Sequence, residues 1–242
     1  MSKKSTDATR AERTAALMKE QQRKERLRQL AIIGSVMAVL AILVGAGVLL
    51  MNRADKTSNS TVGASDYGLA VGEENAPHRV VIYEDFLCPV CQYFESITSD
   101  RLMQAAADGQ VVVEYRPFVL LDRIGPYSAD ATNAFRAVWD IAGPEAARKF
   151  HDELYADQPS EEGPFPDADW LVEKAVAAGA DEAKVRPAIE NKEYMDWVDE
   201  ATADALDAGV RGTPTIYLDG KLVDAGNLDD RAKVVFDAIE AK

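Results

Sequence analysis

The stretch FLCPVC, Phe86 to Cys91, holds both cysteines of the 242-residue chain, three positions apart. Two thiols at that spacing can close into a disulfide and open again, which is redox chemistry. Pro89 gives the two sulfurs different tasks. Proline suits the first position of a helix, where its missing N–H had no partner to lose. Cys88 is therefore placed at or just before a helix N-terminus, where free backbone N–H groups and the helix dipole favour the thiolate that attacks disulfides. Cys91 follows one turn later on the same side and deeper, as a resolving thiol should. Other chemistries stand beside this one. A structural disulfide closing so short a loop adds little stability. Zinc needs two further ligands, and the chain offers only His78, in a loop before a strand, and His151, on a helix face within ARKFHDELYAD. A copper carrier needs the two thiolates alone.

The elements that must hold the pair are legible around it. RVVIYEDF (79–86) and QVVVEYRPF (110–118) are rich in β-branched and aromatic residues and read as strands. Between them, residues 89–108 carry apolar side chains at helical spacing, with Gly109 as the stop. Strand, helix and strand in that order predict a βαβ unit in a partly parallel sheet. From Tyr127 to Asp207 the pattern is helical. Ser128 and Asp167 are the expected N-caps, and Gly143-Pro144, Gly163 to Pro166 and Gly179 mark the breaks. TPTIYLDGKLV (213–223) returns to strands with Asp219-Gly220 as a hairpin turn, and Asn227 caps a last helix running to Lys242. A mainly helical block thus interrupts an α/β domain. EYMDWVDEATADAL, inside that block, has the helical spacing of core packing rather than of a binding stripe.

FLCPVC after a strand, a long helical insertion and then GVRGTPTIYLDG together resemble the thioredoxin superfamily, and within it the DsbA-like branch of membrane-anchored bacterial thiol–disulfide oxidoreductases. The resemblance spans residues 67–242 and implies a thioredoxin-like α/β fold with a helical insertion at about 127–207. It implies that Pro214 is a cis-proline against the cysteines, turning the chain so that the Thr213 backbone pairs with an extended substrate segment. Pro89 and Val90 complete the motif between the sulfurs. Val90 is a departure, because the family often carries His there to favour the thiolate. Ile82 is another, standing six residues before Cys88, where many relatives have a buried acid that relays protons to the second thiol. Strand alternation points Glu84 to the same face as Ile82, so Glu84 is the candidate substitute. Against that, Glu84 and Asp85 read as solvated charges at a strand end. Phe86, Leu87 and Tyr93 are candidates for an apolar rim that receives unfolded polypeptide.

Charge and hydropathy place the domain. Residues 1–29 carry nine Lys/Arg against four Asp/Glu, and Leu30 to Met51 are 22 residues without a charge. A helix of that length reaches about 33 Å, enough for a hydrocarbon core. The span is longer than a signal-peptide core and has no A-x-A site after it, so it reads as a retained signal-anchor. The basic flank keeps the N-terminus in the cytoplasm and places everything after the span outside, where disulfides persist. Residues 52–66 are a small, polar linker, about 20 Å end to end as a flexible coil. The outer part carries 18 Lys/Arg against 37 Asp/Glu, an excess that argues against nucleic acid and anionic lipid surfaces.

The expected function is an extracytoplasmic oxidase of exported polypeptides with free thiols. It would act as a monomer, with no cofactor beyond the Cys88–Cys91 disulfide, recharged by a membrane oxidase that passes electrons to quinone. A reductase or isomerase would use the same cysteines in the opposite redox state. Isomerases of the superfamily add a dimerisation domain where this chain has an anchor and linker. A holdase or copper-binding module would use the groove without thiol turnover.

Overall fold

Along β2 (His78–Glu84), Val80 and Ile82 alternate with Val81 and Tyr83, and all four are buried. A strand apolar on both sides needs both faces covered, which sets the three-layer architecture. The chain continues into α1 (Pro89–Ala107) and then β3 (Val111–Pro117), which runs parallel to β2 from His78↔Val111 to Glu84↔Pro117. That is the expected βαβ unit. The computed structural model describes residues 65–241. The expected basic segment, the span Leu30–Met51 and all of the linker but its last two residues lie outside the described residues. Among the described residues, no helix is long and apolar enough to cross a membrane.

Five helices follow: α2 (Tyr127–Ala142), α3 (Pro144–Ala156), α4 (Ala168–Ala177), α5 (Glu182–Glu190) and α6 (Met195–Asp207). They occupy the predicted insertion. Gly143, at φ 88°, and Pro144 separate α2 from α3, and Asp167 caps α4 by accepting from Trp170 N at 3.1 Å. Ser128 does not cap α2, which begins one residue earlier; its hydroxyl donates instead to Asp85 Oδ1 at 2.6 Å. The sheet resumes with β4 (Thr215–Leu218) and β5 (Lys221–Leu222), joined by Asp219 and Gly220, both at positive φ. Two positive φ values are what a two-residue hairpin turn needs. Asn227 and Asp230 form a capping box that opens α7 (Leu228–Glu240). A short edge strand, β1 (Leu69–Val71), pairs antiparallel with β3 and carried too little pattern to be expected. The sheet order is β1-β3-β2-β4-β5.

Val80, Ile82, Val113, Tyr115 and Ile216 pack with Phe94 and Leu102 of α1 and Val235 and Phe236 of α7. On the opposite face Val81, Tyr83 and Tyr217 meet Ala205 and Val210 at the end of α6. The third apolar cluster is the interior of the helical block, including Phe135, Val138, Phe150 and Leu171, and it takes in Phe86, Leu87, Cys88 and Cys91. The helical block therefore covers the cysteine end of the sheet. Phe86 and Leu87 are fully buried there, and burial of such side chains is worth about 1.5–3 kcal/mol each.

Candidate active site

Cys88 is the N-cap residue of α1, with extended backbone (φ −73°, ψ 114°), and Pro89 is the first helical residue. Cys91 N and Gln92 N both turn back to Cys88 O, at 3.0 and 3.2 Å. Both thiols are free. They sit in different environments although their exposures are close, 6% for Cys88 and 3% for Cys91. Hydrogen bonding from the Cys91 side chain, then from Thr213 and the backbone N–H groups of the first turn, lowers the Cys88 pKa to about 6 against the cost of burial. Burial pushes the Cys91 thiol well above its ordinary value, with Cys88 and Glu84 adding to the rise.

Thr213 lies across from the pair. Its carbonyl oxygen is 3.6 Å from Cys88 Sγ, and the Thr213–Pro214 bond is cis. The two motifs, from opposite ends of the domain's sequence, are thus brought together. Val90 and Tyr93 flank the pair at the surface, 47% and 46% exposed. Phe86 and Leu87 do not join them. Both face the interior, where Phe86 packs on Phe135, His151 and Tyr155, so of the expected rim only Tyr93 is exposed, with Val90 beside the cysteines exposed as well. The helices of the insertion pack over Phe86 and Leu87, a contact that no local pattern shows.

Glu84 and Asp85 are not solvated. Both are fully buried, and they do different things. Asp85 is a hub at the end of β2: Oδ1 accepts from Leu87 N (2.8 Å) and Ser128 Oγ, and Oδ2 accepts from Leu120 N (2.8 Å) and Leu121 N (3.0 Å). Asp85 O accepts from Cys88 N at 2.9 Å. The FLC turn is therefore tied to the loop after β3 and to the start of α2. From the other side, Gln158 Nε2 donates to Phe86 O (2.9 Å) and Cys88 O (3.1 Å).

Glu84 faces α3. His151 Nε2 is 2.7 Å from Glu84 Oε1, and Arg148 Nη1 is 3.2 Å from His151 Nδ1. Arg148 also reaches Glu95 (3.1 Å) and Ser99 (2.7 Å) of α1, and Asp152. Burial raises the Glu84 pKa to about 8, with Arg148 and Tyr155 pulling against it, and burial lowers that of His151 to about 3. His151 is thus no surface histidine. Arg148, His151 and Tyr155 lie at i, i+3 and i+7 on one face of α3, which was the available sequence signal; nothing local says that this face meets Glu84. His78 is elsewhere, with Nδ1 2.9 Å from Asp219 Oδ2 at the β4–β5 turn.

A family model described as thioredoxin matches residues 64–237. A probable disulfide bond formation protein D from Bacillus cereus is 24% identical over 202 residues, covering 83% of this chain and 91% of that protein. Among solved structures, the reduced form of the disulfide bond oxidoreductase DsbG from Mycobacterium tuberculosis is 28% identical, with a TM-score of 0.63 over 74% of this chain and 90% of that one. Oxidised BdbD from Bacillus subtilis shares the fold at a TM-score of 0.66 and 20% identity, covering 76% of this chain and 99% of its own.

Proposed function

The chain belongs to the thioredoxin family, and on that footing we propose that it is an extracytoplasmic thiol–disulfide oxidoreductase that introduces disulfide bonds into exported proteins through Cys88 and Cys91. The curated relatives named for disulfide bond formation support this reading. The observation that carries it is the opposed pair of sulfurs: a low-pKa thiol at a helix N-terminus beside the Thr213 segment, and a high-pKa thiol buried behind it. A Cys88 held as thiolate stabilises the dithiol state relative to the disulfide, which makes the disulfide an oxidant.

In the forward reaction a substrate thiolate attacks Cys88 Sγ, and the Cys88–Cys91 bond breaks as the mixed disulfide forms. Cys91 leaves as a thiolate and takes up a proton, for which Glu84, protonated at neutral pH, is the nearby source. A second substrate thiolate then attacks the substrate sulfur, forming the substrate disulfide and expelling Cys88 as the stable thiolate. Two electrons have passed from substrate to the pair. Thr213 and Pro214 hold the incoming strand, with Pro89 fixing the helix start and Val90 and Tyr93 as its apolar border. Phe86 supports the site from inside.

Residues 1–29 form the cytoplasmic segment, 30–51 the membrane anchor, 52–66 the linker and 67–242 the catalytic domain. The dithiol is recharged by a membrane oxidase, which the anchor keeps within reach. The deciding measurement is the reduction potential of the pair in the full-length protein, equilibrated with glutathione buffers. A value of about −120 to −180 mV is expected for a disulfide donor, whereas about −270 mV would make the protein a reductase.

A further inference from the structure

The hydrogen-bond pattern around His151 determines which of its nitrogens carries the proton. Arg148 is a donor only, so His151 Nδ1, 3.2 Å from Arg148 Nη1, must be the bare nitrogen that accepts. A neutral imidazole has one N–H, which then sits on Nε2 and donates to Glu84 Oε1 at 2.7 Å. The ring is fully buried and also packed edge-on by Phe86 and Tyr155, so it cannot rotate to exchange its nitrogens. A second proton on Nδ1 would place two cations in contact.

We propose that His151 is a positioning residue for the thiol–disulfide reaction: a neutral donor, locked in the Nε2–H tautomer by Arg148, that holds Glu84 Oε1 and leaves Oε2 to exchange a proton with Cys91. The inference rests on the oxidoreductase reading above. When the pair opens, Cys91 leaves as a thiolate and takes the Oε2 proton, leaving a carboxylate to which the Nε2–H bond strengthens. When an external disulfide reoxidises the pair, the Cys88 thiolate attacks it and expels one thiolate; Cys91–SH then returns that proton to Glu84 as it attacks Cys88 Sγ, forming the Cys88–Cys91 bond and expelling the second thiolate. The proton shuttles between two buried atoms, and His151 itself never titrates. A charged imidazolium would strip Glu84 of its proton, whereas no donor from His151 would leave only Arg148 and Tyr155 to oppose the rise that burial causes. The groups that set this balance are Arg148, His151, Asp152 and Tyr155 from α3, Cys91 and Glu95 from α1, Asp85 from the end of β2 and Tyr115 from β3; the Glu95 and Asp152 carboxylates lie 3.8 and 3.7 Å from His151 Nδ1, and Arg148, bonded to both, stands between them and the ring.

The test has two arms on the full-length protein in detergent. In the first, 15N-histidine NMR needs to resolve only two side chains, since the chain has two histidines. His151 should show a bare Nδ1 and a protonated Nε2, unchanged from pH 5 to pH 9; a protonated Nδ1, or titration near the ordinary histidine value, would overturn the proposal. In the second, the rate at which Cys91 resolves a Cys88–glutathione mixed disulfide is followed against pH. It should rise through the Glu84 titration. The inflection should move up by about one pH unit in His151→Leu and return in His151→Gln, which keeps a neutral donor. The Cys88 thiolate titration should stay in place in both variants. An inflection that does not move, or moves down, would sink the idea. If His151→Leu does not fold, His151→Gln and the NMR arm still decide it. A donor-type tautomer in a protein whose potential is that of a reductase would defeat the oxidase reading and leave the positioning role standing.

Discussion

The two sulfurs are separated by one helical turn and by a wide gap in acidity. Cys88 draws on hydrogen bonds from Cys91, Thr213 and the first turn of α1, so its ultraviolet thiolate absorbance should titrate with a midpoint near pH 6. A folded pKa below the unfolded value contributes stability above the unfolded pKa that is lost as pH falls through the folded one. The reduced form should therefore gain on the disulfide form as pH rises from about 6 to 9, by up to about 1.4 kcal/mol per pH unit, and thermal melts of the two forms would read it. Glu84 has the opposite sign. Its folded pKa is raised to about 8, so its protonated form is favoured in the fold and stability falls as pH rises from its ordinary value through about 8. Glu84→Gln should flatten that decline, as urea titrations at pH 5 and pH 8 would show, while slowing the Cys91 step.

At the scale of elements, the site is a junction between the β2–α1 turn and the helical block. Asp85 makes that junction, with four donors from three segments converging on one carboxylate. Asp85→Ala would leave buried donors unpaired and should cost about 3 kcal/mol or more in chemical denaturation. Gln158 secures the same turn from the loop after α3. Gln158→Ala should lower stability by about 1 kcal/mol and shift the Cys88 titration, because it removes a side-chain donor from the carbonyls of Phe86 and Cys88. A Cys88 titration unchanged in both variants would mean that the turn holds its shape without them.

For the whole molecule, the proposed anchor at residues 30–51 and the acidity of the chain after it make a physical prediction about location. The full chain should stay with the membrane fraction through an alkaline carbonate wash, and a chain lacking residues 30–51 should not. Release of the full chain would remove the anchor and leave the redox site untouched. With its outer part carrying 37 Asp/Glu, the domain should not adhere to anionic vesicles.

The pairing of FLCPVC with GTPT was legible only through the family resemblance, whereas the chain's local patterns determined the βαβ unit, the insertion limits, the Asp219-Gly220 turn and the Asn227 cap. Each is a short-range signal: a period, a breaker, a cap or a motif. Local signals could not say which faces meet. Glu84 and Asp85 look like ordinary strand-end charges, and Phe86 and Leu87 like rim residues, until α2 and α3 close over them. Whether a carboxylate is solvated or buried beside a histidine depends on helices more than forty residues away. Only the tertiary structure places Asp85 under Ser128 and Glu84 against His151, so that Asp85 gathers donors from separate segments and Glu84 is raised by burial.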